Sequence, residues 1–331
     1  MTRYHLMRAI TLASTLAIAS IANAQEADTF VFQLEWVPTG EHAPYYAGAA
    51  KGFFKEQGID ISFVRGNGGS DAANRIGAGN SPLGISTMTP VMVGRSTQDL
   101  PITAVASIYT EAPQAVLVLE SSGIGSLGEL AGKRVATTAG NEHVDYLKEV
   151  SKKADLDFDS IEWVVVDPTA LGPMLLSKQV DGATMLALHQ FYQDKAAAAI
   201  GEKVKALRYS DYGFNVYSQL IAANDAVIRD NPDLVRRTVA ALEKSFIWSN
   251  ENQSEACDLF VAQQPEVTHE DCVGSLSAAM TFVFNDHFEQ HGFGAFNPDL
   301  LKYTWEVTAE IADINPASWD PANSSTAEFL P

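Results

Sequence analysis

Leu34-Glu35-Trp36-Val37-Pro38-Thr39-Gly40-Glu41-His42-Ala43-Pro44-Tyr45-Tyr46 is the stretch whose reading decides the fold of this 331-residue chain. The β-rich run 30–34 before it predicts a short strand. The residues after it predict a helix over 45–57, closed by Gly58, and a second strand over 59–64. Strand, helix and strand in direct succession form the unit of a parallel sheet. In an open α/β sheet, ligands collect outside the carboxyl ends of the strands. The turn at that end carries Trp36, His42, Tyr45 and Tyr46 beside Glu35. Flat faces with N–H and O–H groups suit stacking on a planar ring while bonding its edge, and Glu35 would accept from an exocyclic amine. Tyr45 and Tyr46 fit a core nearly as well, because Tyr46 and Ala50 share a helical face with Phe53 and Phe54 nearby.

The alternation continues outward from this stretch. Strands are predicted at 83–86, 102–107, 115–119, 135–137, 161–166, 182–185 and 219–223, and helices at 71–78, 90–96, 141–154, 169–177 and 189–200. After Asn224 the reading is nearly all helix, with Pro232 at a helix start. The β-α-β-α-β series runs once before and once after about residue 110, and 209–218 reads as a crossover back. The expected architecture has a discontinuous first lobe (25–110 and 215–331), a second lobe (111–214), a hinge of two segments and a cleft between the lobes.

The N-terminus reads as an export signal over 1–24. Arg3 and Arg8 supply charge, 9–21 is apolar, and Ala22-Asn23-Ala24 fits a small-x-small cleavage site. The apolar run is too short, and too interrupted by Thr11, Ser14, Thr15 and Ser20, to span a bilayer. No cysteine follows the cut, so no lipid anchor is expected and the mature protein is placed in the periplasm. Lys and Arg number 22 against 41 Asp and Glu, a formal net charge of −19. Such a surface disfavours nucleic acid and anionic lipid as partners. Cys257 and Cys272 fall in the exported part; an oxidising compartment favours a disulfide, with two separate buried thiols as the alternative.

Other strand ends carry small polar groups. Gly66-Asn67-Gly68-Gly69-Ser70-Asp71 opens a helix, where free N–H groups accept an anion or a carbonyl oxygen, although Ser70 as a plain helix cap explains it almost as well. Ser86-Thr87-Met88-Thr89-Pro90 and Thr137-Thr138-Ala139-Gly140-Asn141-Glu142 occupy equivalent junctions, which makes Ser70, Thr87, Met88 and Glu142 site candidates. Met185, His189 and Tyr192, with Tyr212 in 211–217, are candidates for the opposite wall and hinge. Core suits Met185 equally, and a surface helix suits His189. Nucleophile-elbow, zinc-helix and Cys-x-x-Cys motifs are missing, and His287 and His291 lack a third ligand, so neither catalysis nor a metal is expected.

Leu34-Glu35-Trp36-x-Pro38-x-x-x-His42 and Gly52-Phe53-Phe54-Lys55-Glu56-Gln57-Gly58-Ile59-Asp60 resemble the opening of periplasmic binding proteins for thiamine pyrimidine precursors. Fungal hydroxymethylpyrimidine phosphate synthases share that opening. Ala104-Val105-Ala106-Ser107, Ser122-Gly123-Ile124 with Leu130-x-Gly132-Lys133, Tyr212-Gly213-Phe214-x-Val216-Tyr217, and Asn224-Asp225 followed by 231–237 continue the resemblance over nearly the whole mature chain. It implies a type II periplasmic-binding-protein fold: α/β, two-lobed, with mainly parallel sheets flanked by helices. It also implies the solute-binding component of an ABC importer, a monomer that captures hydroxymethylpyrimidine or formylaminopyrimidine and delivers it to an inner-membrane permease. Relatives take sulfonates, nitrate or riboflavin. Where the fungal enzymes carry a pyridoxal-phosphate lysine and a histidine consumed as substrate, this chain has Ser86 and Pro90. The resemblance therefore implies a binding protein without a cofactor rather than a synthase. Thr39 replaces the asparagine common after the proline in bacterial pyrimidine binders, which leaves the exact pyrimidine open.

Overall fold

Residues 27–139 and 141–331 are described by the computed structural model, and the predicted export segment at 1–24 lies outside them. Two five-stranded sheets form the frame. The first contains β1 (Asp28–Gln33), β2 (Ile59–Val64), β3 (Leu83–Thr87) and β4 (Ile102–Ser107). The second contains β5 (Gln114–Leu119), β6 (Arg134–Thr137), β7 (Glu162–Val165), β8 (Gly182–Leu186) and β9 (Val204–Arg208), after which β10 (Gln219–Asn224) returns to the first. The strand orders are β2-β1-β3-β10-β4 and β7-β6-β8-β5-β9. In each sheet one strand, β10 or β5, runs against both of its neighbours, so the sheets are mixed, with four of five strands running the same way. Both reversed strands are buried along their whole length. Their near-continuous apolar sequences, AVLVL and LIAA, are what burial on two faces demands.

Helices cover both faces of both sheets. On the first sheet, Phe32, Tyr45, Phe246 and Phe260 pack under the helices Ala43–Lys51, Pro232–Glu251, Gln253–Val261 and His269–Val283. Its other face buries Ile76, Met88, Leu220 and Trp305. On the second sheet, Val135, Tyr146 and Leu147 form one layer, and Leu117, Leu175 and Ala197 the other. Each buried Val, Leu, Ile, Phe or Met side chain among them contributes about 1.5–3 kcal/mol by leaving water.

Two local expectations are revised. The helix expected over 45–57 is two, Ala43–Lys51 and Phe53–Glu56, because Gly52 adopts φ +82° and ends the first. β9 carries no clear sequence signal: it is an edge strand with β5 as its partner, and Lys205 and Arg208 are exposed. The sulfurs of Cys257 and Cys272 lie 2.02 Å apart, joining the helices Gln253–Val261 and His269–Val283.

The chain crosses between the sheets twice, and the crossings lie side by side. Asn215 Oδ1 accepts from the Ala112 N–H at 3.0 Å, the Ser218 N–H donates to the Tyr109 carbonyl at 3.2 Å, and Gln114 Nε2 donates to Ser218 Oγ at 3.0 Å. Among the described residues no helix is long and apolar enough to cross a membrane.

Candidate functional site

The carboxyl ends of β1, β3, β6 and β8 face one cleft between the sheets. Glu35 and Trp36 follow β1, Thr87 ends β3, Asn141, Glu142 and His143 follow β6, and Thr184, Met185 and His189 come from β8 and the turn after it. Gln114 and Gln219, which open the reversed strands, together with Ser218 close the floor. The space, its solvent-open mouth included, is about 460 Å³.

Glycines hold the β1 end in place. The Gly68 N–H donates to the Glu35 carbonyl at 2.7 Å and the Gly66 N–H to the Trp36 carbonyl at 3.3 Å. Gly68 has φ +135°, a region that favours glycine. A Cβ on Gly66 would stand 2.4 Å from the Leu34 carbonyl oxygen, and one on Gly69 would stand 2.2 Å from Thr87 Oγ1. This loop is built to lie against the site. Gly68 itself occupies the cap position of the next helix, and Ser70 makes no cap there.

Two buried carboxyl groups differ in how they are satisfied. Glu41 Oε1 accepts from His189 Nε2 at 2.9 Å and from Thr39 Oγ1 at 3.0 Å, while Oε2 accepts from the Tyr109 hydroxyl at 3.2 Å. Burial opposes its ionisation, but His189, with His42 and Thr39, outweighs burial and holds the carboxyl below its ordinary range. Glu35 Oε1 accepts from Gln219 Nε2 at 2.6 Å and lies 3.4 Å from His42 Nε2. Its Oε2 is buried with no partner. Burial opposes protonation of His42, yet the Glu35 and Glu41 carboxylates prevail and raise its basicity.

On the opposite wall, burial pushes the Glu142 carboxyl up, against the nearby Thr87 hydroxyl. Burial, then the nearby His189, pushes the His143 imidazole down to about 3, so this ring is neutral at pH 7. Glu35 Oε2, Thr87 Oγ1, Gln114 Oε1, Glu142 Oε2 and His143 Nδ1 are all buried and unpartnered. Native interiors leave few such atoms, and here five line one cleft. Among the described residues, no lysine or arginine lines it.

Of the residues singled out from sequence, Glu35, Trp36, Thr87, Glu142, Met185 and His189 line this cleft. His42 sits one layer behind, with Nδ1 accepting from the Thr39 N–H at 3.1 Å. Tyr45 and Tyr46 point into the core instead: Tyr45 packs on Phe32 and Phe246, and Tyr46 on Phe63 and Phe260. Met88 is fully buried beside Val91 and Leu220, since the first helical residue after β3 turns inward. Ser70 faces a separate outer groove with Asn67 and Thr138. The Tyr212 hydroxyl accepts from the Leu127 N–H at 3.2 Å within the second sheet's layer. Sequence reasoning missed Glu41, Gln114, Thr184, His143 and Gln219 as site residues. For the two glutamines a signal exists: each is an amide opening a fully buried strand, with at least four apolar residues directly after it.

The chain is similar to a formylaminopyrimidine-binding protein of Halalkalibacterium halodurans, 24% identical over 79% of this chain and 78% of that protein. It is equally similar to a 4-amino-5-hydroxymethyl-2-methylpyrimidine phosphate synthase of Saccharomyces cerevisiae, 24% identical over 86% of this chain and 91% of the synthase. In fold it matches the alkanesulfonate-binding protein SsuA of Xanthomonas axonopodis pv. citri, with a TM-score of 0.69 and 13% identity over 92% of this chain and 99% of that one. The two-lobed α/β fold is thus that of periplasmic binding proteins. Residues 39–256 match the family described as NMT1/THI5 like, and the chain belongs to that family.

Proposed function

We propose that this chain is the solute-binding component of an ABC importer, capturing a thiamine-related aminopyrimidine between two lobes and delivering it to a membrane permease. The lobes are 25–110 with 215–331, and 111–214, joined by the paired crossings; the protein works in the periplasm after removal of 1–24, with Cys257 and Cys272 disulfide-bonded.

The observation that carries this reading is the set of five unpartnered buried polar atoms in a cleft without a basic side chain among the described residues. Carboxylate and amide oxygens accept only, so the fitting ligand presents N–H donors. An exocyclic amine beside ring nitrogens does so, with His143 Nδ1 and Thr87 Oγ1 left for the rest of the edge and Trp36 for the ring face. A sulfonate or nitrate would meet acceptors and no lysine or arginine among the described residues. The name of the Halalkalibacterium relative supports the same ligand class.

The synthase reading finds less support. Ser86 Oγ donates to the Gly69 carbonyl at 2.9 Å, a loop-holding role, and Pro90 lies in the helix Met88–Gln98. A Schiff base has no lysine to form on among the residues described at the cleft. Binding, not turnover, is the proposed activity, with no cofactor. The ligand shifts the lobes toward closure by its higher affinity for the closed state.

A thermal-shift screen of the mature protein tests this. A ligand at a hundredfold excess over its Kd adds about 2.7 kcal/mol of stability. Hydroxymethylpyrimidine or formylaminopyrimidine should raise the melting temperature, and sulfonates and nitrate should not. The opposite pattern would overturn the ligand assignment, and pyridoxal-type absorbance after incubation with that cofactor would revive the synthase.

A further inference from the structure

A second chamber lies against the first. Trp36, Met185 and His189 line both, so these three side chains form the wall between them. With its mouth this chamber measures about 840 Å³, larger than the cleft. Both sheets' elements enclose it: Val37, Thr39 and Gly40 from the turn after β1 on one side, and Pro168, Thr169 and Leu171 from the segment after β7 on the other. Its walls are mainly apolar, and its polar groups have a pattern.

Trp36 and the half-buried Tyr192 supply aromatic faces, and Glu266 and Asp271 supply negative charge. Asp271 is 3.0 Å from Lys195 Nζ, whereas Glu266 is exposed and forms no ion pair among the described residues. Ser275 is 1% exposed, lines the chamber, and its Oγ has no partner. Aromatic faces next to uncompensated acid favour a flat cation, through the ring quadrupole and plain Coulomb attraction. A buried unpaired hydroxyl adds a hydrogen-bond position.

We propose that this chamber is a substituent subsite, and that the protein also takes aminopyrimidines bearing a flat cationic heteroaromatic ring on a one-carbon arm. The proposal rests on the pyrimidine reading of the first cleft. The pyrimidine would occupy that cleft, and the arm would pass the Trp36–Met185–His189 partition. The substituent would lie against Trp36 and Tyr192 with Glu266 facing its charge.

The test is calorimetric titration of the mature protein with two probes, 4-amino-5-hydroxymethyl-2-methylpyrimidine and thiamine, whose thiazolium is such a substituent. Both should bind. Thr169→Trp fills the chamber from an exposed position and should weaken thiamine at least tenfold while leaving the small pyrimidine within twofold. Glu266→Lys, also exposed, should weaken thiamine alone, and added salt should shrink the difference. If the small pyrimidine binds and thiamine does not, or if both variants weaken the two probes alike, the subsite is overturned. If neither probe binds the unmodified protein, the pyrimidine reading fails and the subsite falls with it.

Discussion

Trp36 joins the two halves of the proposed site. It leaves the first sheet at the end of β1 and packs, half-buried, against the Leu171–Met185 side of the second sheet. Stacking a base-like ring on an aromatic side chain is worth about 1–3 kcal/mol. Trp36→Ala should therefore weaken pyrimidine binding by about five- to 150-fold in calorimetry, and the melting point of the ligand-free protein should hardly move. Unchanged affinity would remove the stacking role. His143 makes a prediction of the opposite kind, about stability. Its imidazole is held down at about 3, chiefly by burial, against an unfolded value of 6.5. A depressed pKa means the unfolded chain takes the proton first. The stability is present above about pH 6.5 and drains as pH falls toward 3. Melting temperature should fall between pH 7 and 4, and less steeply in His143→Asn. Equal slopes would show that other groups set the acid limit.

At the scale of elements, the sequence is most informative where local chemistry is explicit. Asn231-Pro232 marks a helix start by a cap and a fixed φ, and the Asn231 Oδ1 accepts from the Leu234 N–H at 3.2 Å. Asn231→Ala should cost about 1 kcal/mol in denaturant unfolding without touching ligand affinity; no loss would mean that packing of Pro232–Glu251 alone sets the helix start. Strands β2 and β4 were legible to the residue because apolar runs between turn residues leave little choice. β9 was not, because an edge strand with charged outer positions looks like a loop. The same limit explains the aromatic turn. Trp36 and Tyr45 are equally suited to a site by residue type, and only the packing of the helix Ala43–Lys51 on Pro232–Glu251 sends Tyr45 to the core. The cleft's floor was hidden for another reason: Gln114 and Gln219 lie far apart in sequence and meet only because both reversed strands start at the crossings. Cys257→Ala with Cys272→Ala probes a third junction. A cross-link closing a fifteen-residue separation is worth about 3 kcal/mol, so the double variant should melt earlier while binding normally.

At the scale of the whole molecule, the contact that matters most is the buried pair between Glu41 and His189. Glu41 belongs to the turn after β1 and His189 to the turn after β8, so the 2.9 Å bond spans the proposed lobes. When the lobes part, Glu41 keeps Thr39 and Tyr109, both on its own side, and loses only His189. Leaving a buried carboxylate oxygen short of its hydrogen-bond donor costs about 1–3 kcal/mol where it stays buried. In an open protein water reaches Glu41 and the cost disappears. His189→Ala should therefore penalise closure rather than folding. The ligand-free melting point should change little, the Kd should rise at least about fivefold, and the closed fraction of ligand-free protein, read by single-molecule energy transfer between the lobes, should fall. The last reading separates a latch from a ligand contact, because a residue that only touches ligand cannot alter the empty protein's equilibrium. His189→Gln, which keeps a side-chain N–H donor, should recover part of the closed fraction. A lowered melting point with unchanged closure would place the pair in the fold rather than in the motion.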